Sequence, residues 1–192
     1  MELKQVKRYT YGDYKQWTEG RWEIIDGRVY DMSPAPTVRH QQIVGRIYTD
    51  LASFLKDKPC QPYLSPLDVR FEEDDDADTV VQPDVLVVCD RSKLRRDGIV
   101  GAPDVVFEVL SPRSSTRDLI KKYNLYERRG VREYWVVNPD EKVVIRFTLA
   151  EGRFVQGDDA PVLESQVLPG FSLDSAALFA ALDGLPMDMA GQ

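Results

Sequence analysis

Apolar positions along the chain change period several times, and each change marks an element. Between Thr37 and about Lys56, the residues Ile43, Ile47, Leu51 and Phe54 or Leu55 recur at helical spacing. They predict a long first helix, ended by Pro59 and Pro62. Before it, RWEIIDGRVYDM alternates on both sides of Asp26-Gly27 and predicts a hairpin, after which Pro34 and Pro36 break the chain. Thr10, with Asp13 three residues on, predicts a capped N-terminal helix running to about Glu19. Leu67 to Phe71 alternates as a strand, and VVQPDVLVVC (80–89) and PDVVFEVL (103–110) are apolar runs of buried-strand length. DLIKKYNLYERRG predicts a second helix, with a capping box from Ser115 to Asp118 and a stop at Gly130. The buried run EYWVV follows it, and a helix between two buried strands is the pattern of a crossover. KVVIRFTL returns after the Asn138-Pro139-Asp140 turn, RFVQG follows Glu151-Gly152, and SLDSAALFAAL predicts a short packing helix before a frayed tail at 183–192. The elements imply an α/β (α+β) fold in one domain over 1–192. A central mixed β-sheet is flanked by helices, with an N-terminal helix and β-hairpin.

The bulk properties narrow the chemistry by exclusion. The 192 residues carry 25 Lys+Arg against 32 Asp+Glu, a net charge of -7, which argues against a protein that coats nucleic acid by bulk charge. No apolar stretch reaches the length of a membrane span, and no signal-peptide core precedes the fold. Two cysteines, Cys60 and Cys89, make a poor disulfide framework, so both are read as reduced thiols of a cytoplasmic protein. One histidine, His40, leaves too few nitrogen and sulfur ligands for a zinc site. GxxxxGK[ST], GxGxxG and GxSxG are all absent, which removes the usual signatures of nucleotide cofactors and serine hydrolases. EEDDDAD (72–78) lacks the alternating ligands and glycine of a calcium loop and reads as a solvated turn.

What remains is carboxylate chemistry. Asp84 interrupts VVQPDVLVV and Glu108 interrupts VVFEVL, so each sits among residues that favour burial. A buried carboxylate needs a partner or a metal, and two of them on adjacent strands repel unless a divalent cation joins them. Oxygen ligands of this kind suit magnesium or manganese. Pro83 removes a ladder donor just where Asp84 must turn outward. Asp118, Lys122 and Tyr126 are spaced four apart and share a helix face, which the crossover returns over the sheet near Glu108. Residues 113–132 hold seven basic residues against Asp118 and Glu127, a local basic stripe in an acidic chain. Structural readings stand beside these: strand-end carboxylates in salt bridges, and a solvated helix whose tyrosine covers the core.

The order PD, then a strand-borne glutamate, then a lysine resembles the PD-(D/E)xK nuclease superfamily. The finer resemblance is to the Uma-two family of restriction-type endonucleases. It is carried by EIIDGRVYDMSPAPTVRHQQIVGRI, QPDVLVV, PDVVFEVLSPRSSTRDLIKKYNLYERRGVREYWVVNP and LPGFSLD, from about Trp22 to Asp174. The resemblance implies a restriction endonuclease-like core and a magnesium-dependent endonuclease acting on nucleic acid, with DNA the expected substrate and a homodimer the expected assembly. By position, Asp84 and Glu108 become metal ligands, with the backbone carbonyl of Val109. The superfamily's lysine would stand at 110, where this chain has Leu110, and Lys122 on the following helix takes its part. His40 matches the motif of the first helix, Glu23 and Asp26 match the hairpin, and Tyr126 would support Lys122 or pack. Arg113, Arg117 and Lys121 would meet nucleic acid. Pro103-Asp104 and Pro139-Asp140-Glu141-Lys142 contain similar letters, but Asp84 fits the QPD segment. Leu110 also admits a nuclease-fold module that binds metal or nucleic acid with weak or no catalysis. A third class is a regulatory homodimer whose acidic cluster only holds a metal.

Overall fold

The computed structural model describes residues 7–32, 35–111 and 116–187, with side chains of the second long helix described from Asp118 onward. The capping box at Ser115 therefore lies outside the described residues. In chain order the first elements are α1 (Tyr11–Tyr14), β1 (Trp22–Ile25), β2 (Arg28–Asp31) and α2 (Val38–Phe54). The short strands β3 (Gln61–Leu64), β4 (Val69–Arg70), β5 (Val80–Val81), β6 (Val85–Val88), β7 (Leu94–Arg95) and β8 (Gly98–Val100) follow. Then come β9 (Val105–Val109), α3 (Thr116–Arg129), β10 (Glu133–Asn138), β11 (Val143–Ala150), β12 (Arg153–Gln156), β13 (Val162–Glu164), β14 (Ser172–Asp174) and α4 (Ser175–Ala180).

Two six-stranded sheets result, ordered β2-β1-β5-β4-β8-β7 and β12-β11-β10-β9-β6-β3, with β13 and β14 as a separate pair. The apolar run 80–89 serves both. Its first half, β5, pairs with β1 and β4, and its second half, β6, pairs with β3 and β9. The break falls on Gln82-Pro83-Asp84, because proline cannot donate to a ladder. β9, α3 and β10 form the expected crossover, with β9 and β10 parallel and Glu108 opposite Val136.

Alternation along the second sheet sorts its side chains. Val85, Val87, Val105, Phe107, Trp135 and Val137 face α2, whose Ile43, Val44, Ile47 and Leu51 line one apolar stripe, while α4 packs on the same side. Leu86, Val88, Val106, Tyr134 and Val136 face the other way, toward Leu125 and Tyr126 of α3 and toward Ile25, Val69, Val81 and Ile99 of the first sheet. The first sheet and α3 therefore cover the same face, and Glu108, by its parity, points between them.

Local departures have local causes. α1 stops at Tyr14, well short of Glu19, because Gln16 N–H and Trp17 N–H turn back to the carbonyls of Asp13 and Tyr14. Tyr9, Tyr14 and Trp17 then pack beside Ile24 and Val80. Asp26 and Gly27 both adopt positive φ (51° and 75°), as the two-residue turn between β1 and β2 requires. The acidic segment is a turn tied down by cations: Glu73 to Arg95 at 2.8 Å, Asp75 to Lys15 at 2.6 Å, Asp78 to Arg8 at 2.7 Å, and Glu72 to Arg129. At the C-terminal end Leu185 packs against the core, and 188–192 lie outside the described residues. No helix of the described residues is long and apolar enough to cross a membrane.

The reading of Cys60 and Cys89 as free thiols is overturned. They form a disulfide, S–S 2.04 Å. The antiparallel register that sets Gln61 against Val88 makes Cys60 and Cys89 the next facing positions, with Cα atoms 3.8 Å apart. They lie 29 positions apart in sequence, so the pairing becomes visible only with the register. The thiol argument for a reducing, cytoplasmic compartment falls with it. The bridge is expected to leave neither cysteine open to alkylation before reduction. Closure of a loop of this length implies that Cys60→Ser with Cys89→Ser loses about 3–4 kcal/mol in a urea titration. Full alkylation of the unreduced native protein would show the bridge absent.

Candidate active site

The break at Pro83 builds the site. One step beyond the pairing of Val85 with Phe107, the register of β6 against β9 brings Asp84 opposite Glu108, and a further step brings Pro83 opposite Val109. Pro83 has no N–H to offer the Val109 carbonyl. The amide of Val109 is taken by a side chain, donating to Asp84 Oδ2 at 2.8 Å. His40, from the first turn of α2, brings Nε2 to 3.2 Å from the same oxygen. Its helix starts at Thr37, whose hydroxyl accepts the His40 N–H at 3.2 Å, so the cap fixes where the imidazole enters. Both bonds fall on Oδ2, and among the described residues no donor meets Oδ1.

Glu108 is held from the opposite layer. Lys122 Nζ lies 2.9 Å and Tyr126 Oη 2.7 Å from Glu108 Oε1, both from α3, one helical turn apart. Lys122 also reaches Glu23 Oε1 of β1 at 3.3 Å. That oxygen accepts the backbone N–H of Gln82 at 2.8 Å, two residues before Asp84. Asp84 and His40 form one hydrogen-bonded group and Glu108, Lys122, Tyr126 and Glu23 another, and the backbone joins them at Glu108-Val109 and at Gln82-Pro83-Asp84.

Three carboxylates share this buried space with one ammonium and one imidazole. Burial pushes Glu108 up to about 7, with the charges of Asp84 and Glu23 adding to the rise and Lys122 and the Tyr126 hydroxyl opposing it. Burial alone would lower Lys122, but the negative charges of Glu108, Glu23 and Asp84 reverse this and hold it well above its ordinary value. Burial would likewise lower His40. The hydrogen bond and charge of Asp84, the charge of Glu108 and a bond to the Val109 backbone raise it instead. The site is short of positive charge, and its donors with spare capacity are oxygens.

No group of three or more His, Cys, Asp and Glu side chains among the described residues is placed to hold a metal by itself. The donors that fit a cation are two carboxylates, Asp84 and Glu108, and the Val109 carbonyl that Pro83 leaves without a ladder partner. That is the sparse oxygen set with which magnesium is commonly held, the rest being water and substrate oxygens.

The other expected residues divide. Arg113, and the side chain of Arg117, lie outside the described residues. Lys121 points away from Glu108, as its position on the helix implies. It pairs with Asp118 at 3.0 Å and sits 4.1 Å from the centroid of Tyr30, which is cross-strand to Glu23. The basic stripe is largely committed within the fold: Arg128 pairs with Asp26, Arg129 with Glu72 and Asp78, and Arg132 with Asp104 at 3.1 Å. Asp104 also accepts the Cys89 N–H at 2.8 Å, so the second PD dipeptide is structural. Asp140 stands at a turn, 3.9 Å from the buried Arg39. Sequence reasoning missed Gln82, whose side-chain amide donates to Tyr14 Oη at 3.2 Å and Asp68 Oδ1 at 2.8 Å while its backbone holds Glu23. Its place beside proline was the available signal. Tyr134 was also missed: its hydroxyl is buried over the same face with no partner among the described residues.

Two mixed sheets flanked by helices, with an acid pair at the break of a central strand, define a restriction endonuclease-like fold. Its likeness is found in the crystal structure of "a putative nuclease belonging to DUF820" from Anabaena variabilis ATCC 29413. That structure matches with a TM-score of 0.73 and 23% identity, covering 90% of this chain and 98% of that one. A family model described as "Putative restriction endonuclease" matches residues 11–176, and the chain belongs to this family, Uma2. An uncharacterized protein of Synechocystis sp. (strain ATCC 27184 / PCC 6803 / Kazusa) is 26% identical over 176 residues, 89% of this chain and 87% of its own.

The two buried tyrosines give a paired prediction. Tyr126→Phe removes a donor to a charged acceptor and is expected to cost about 1.5–3 kcal/mol in urea unfolding with chelator present. Tyr134→Phe removes a hydroxyl that bonds nothing described and is expected to be neutral or stabilising by up to about 1 kcal/mol. Equal losses in the two variants would show that Tyr126 acts by packing alone.

Proposed function

We propose that this protein is a magnesium- or manganese-dependent endonuclease that hydrolyses phosphodiester bonds in DNA. One observation carries the reading. At the end of β6 and β9, two carboxylates with spare oxygens, a carbonyl without its ladder donor and a helix-borne lysine meet in one place, in a chain of the Uma2 family. Asp84, Glu108 and the Val109 carbonyl would hold the cation. A bound divalent cation supplies an acidified water and offsets charge on the phosphate.

The chain's own residues do the rest. His40 and the Val109 N–H hold Asp84 Oδ2, so that Oδ1 is left to the site. Tyr126 fixes Glu108 by one oxygen. Lys122 is held protonated by its carboxylate neighbours, so it is an electrostatic group rather than a base. It orients the phosphate or the attacking water and stabilises negative charge as it develops. This is the work a strand lysine at 110 would do. A homodimer would supply a second site for the second strand. Because most of the described stripe, Lys121 included, is spent on internal salt bridges, its cations would reach nucleic acid only by exchanging those partners, and the salt dependence of binding would be shallow.

Purified protein is expected to nick supercoiled plasmid with magnesium or manganese and not with chelator. Asp84→Ala and Glu108→Ala are each expected to lower the rate by about a hundredfold or more, the size of a lost metal contribution. Lys122→Met is expected to lower it by about 10²–10³-fold. Cleavage that survives Asp84→Ala would refute the site. Metal binding without cleavage of plasmid, single-stranded DNA or RNA would favour the binding-module reading.

A further inference from the structure

Lys122 sits between two carboxylates, and only one of them is needed to hold a cation. Its Nζ is 2.9 Å from Glu108 Oε1 and 3.3 Å from Glu23 Oε1. Glu23 is 2% exposed and comes from the first sheet, whereas Glu108 comes from the second. The Glu23 oxygen facing Lys122 is also engaged by the Gln82 N–H at 2.8 Å, so its position is set by the backbone at the crossing between sheets. A lysine on a helix reaches its target along four flexible methylenes and must be placed at its tip.

We infer that Glu23 is a positioning residue: it is the standing counter-ion of Lys122, and it frees Glu108 for the divalent cation. The inference rests on the reading of Asp84 and Glu108 as the cation's ligands. With Glu23 beside it, the ammonium keeps a partner when Glu108 turns to the cation, and it stays at the site in spite of the added positive charge. Without that charge, Lys122 has Glu108 as its nearest anion and competes with the cation for it. Glu23 touches the cation only through Lys122, and for that reason the consequence of removing it depends on whether Lys122 is present.

The test is a double-mutant cycle on Mn2+ binding, read by calorimetry or by electron paramagnetic resonance without nucleic acid. Glu23→Gln keeps the shape and an acceptor for the Gln82 N–H. It is expected to weaken Mn2+ binding by about tenfold to a hundredfold, the usual effect of losing an outer partner of a metal ligand. In a Lys122→Met background the same change is expected to have little effect, because the competitor is gone. An equal loss in both backgrounds would make Glu23 a direct ligand and overturn the inference, as would no loss in either. The ammonium of Lys122, observed by 1H–15N NMR at neutral pH, gives a second measurement that needs no Lys122 variant. Its signal is expected to persist in wild-type protein with and without Mg2+, and to broaden or vanish in Glu23→Gln with Mg2+. A signal indifferent to Glu23→Gln sinks the inference. If wild-type protein binds no divalent cation, the metal reading fails by itself. The inference, which rests on that reading, falls with it.

Discussion

Pro83 has no amide proton, and much of the structure is arranged around that gap. A continuous strand from Val80 to Cys89 would have kept one sheet partner on each side throughout. The missing donor ends the ladder, and the chain passes from one sheet to the other, β5 bonding in the first and β6 in the second. Where the ladder stops, Val109 has an amide and a carbonyl facing a residue that cannot complete the pair. Asp84 turns in and takes the amide. The carbonyl is left to His40, which bonds to the Val109 backbone. A single imino acid thereby supplies a bent strand, a carboxylate anchored at one oxygen and a backbone oxygen with spare capacity.

The cost of this arrangement is concentrated electrostatically. An uncompensated buried carboxylate is expensive, and Glu23 and Glu108 are buried beside the partly exposed Asp84. The fold offsets them by bringing α3 down with its lysine inward, and the remaining basic residues of that helix explain how it is kept there. Arg128 binds the hairpin turn at Asp26, Arg129 binds the acidic loop at Glu72 and Asp78, and Glu127 accepts the Phe154 N–H at 2.7 Å. Arg129 thus joins the basic stripe to the acidic loop, whose other carboxylates are held by Arg8, Lys15 and Arg95.

The pattern of positions was legible where one element decides it. The stripe Ile43, Val44, Ile47 and Leu51, the turn at Asp26-Gly27 and the acids inside apolar runs each follow from period and burial, and each stands where that logic puts it. What was not legible depends on pairing between distant segments. The assignment of β5 and β6 to different sheets, the facing of Cys60 and Cys89, and the commitment of Arg128 and Arg129 to internal partners all need the register or the layer order, which one sequence does not state. In the site itself, the residues were legible as chemistry in the wrong environment. Lys122 and Tyr126 were legible as neighbours of Glu108, but the backbone donors were not: the amide protons of Gln82 and Val109 are announced by nothing in a side-chain pattern.

The position of the lysine follows from the same geometry. At residue 110 the backbone N–H still bonds to the Val137 carbonyl, so a side chain there is fixed by the parallel ladder of β9 and β10. Leu110 packs into the apolar face shared with α3, beside the buried tyrosines. A lysine placed there would enter that face with the charge already supplied by Lys122, and the two ammonium groups would compete for Glu108. Placing the charge on α3 keeps the apolar contact at 110 and ties the site to the first sheet, because among the described residues Glu23 is the second carboxylate that Lys122 meets. The helix-borne lysine and the second sheet are therefore one solution. The crossing of the strand at Pro83 brings the first sheet alongside, and that sheet carries the carboxylate without which the lysine would hold Glu108 for itself.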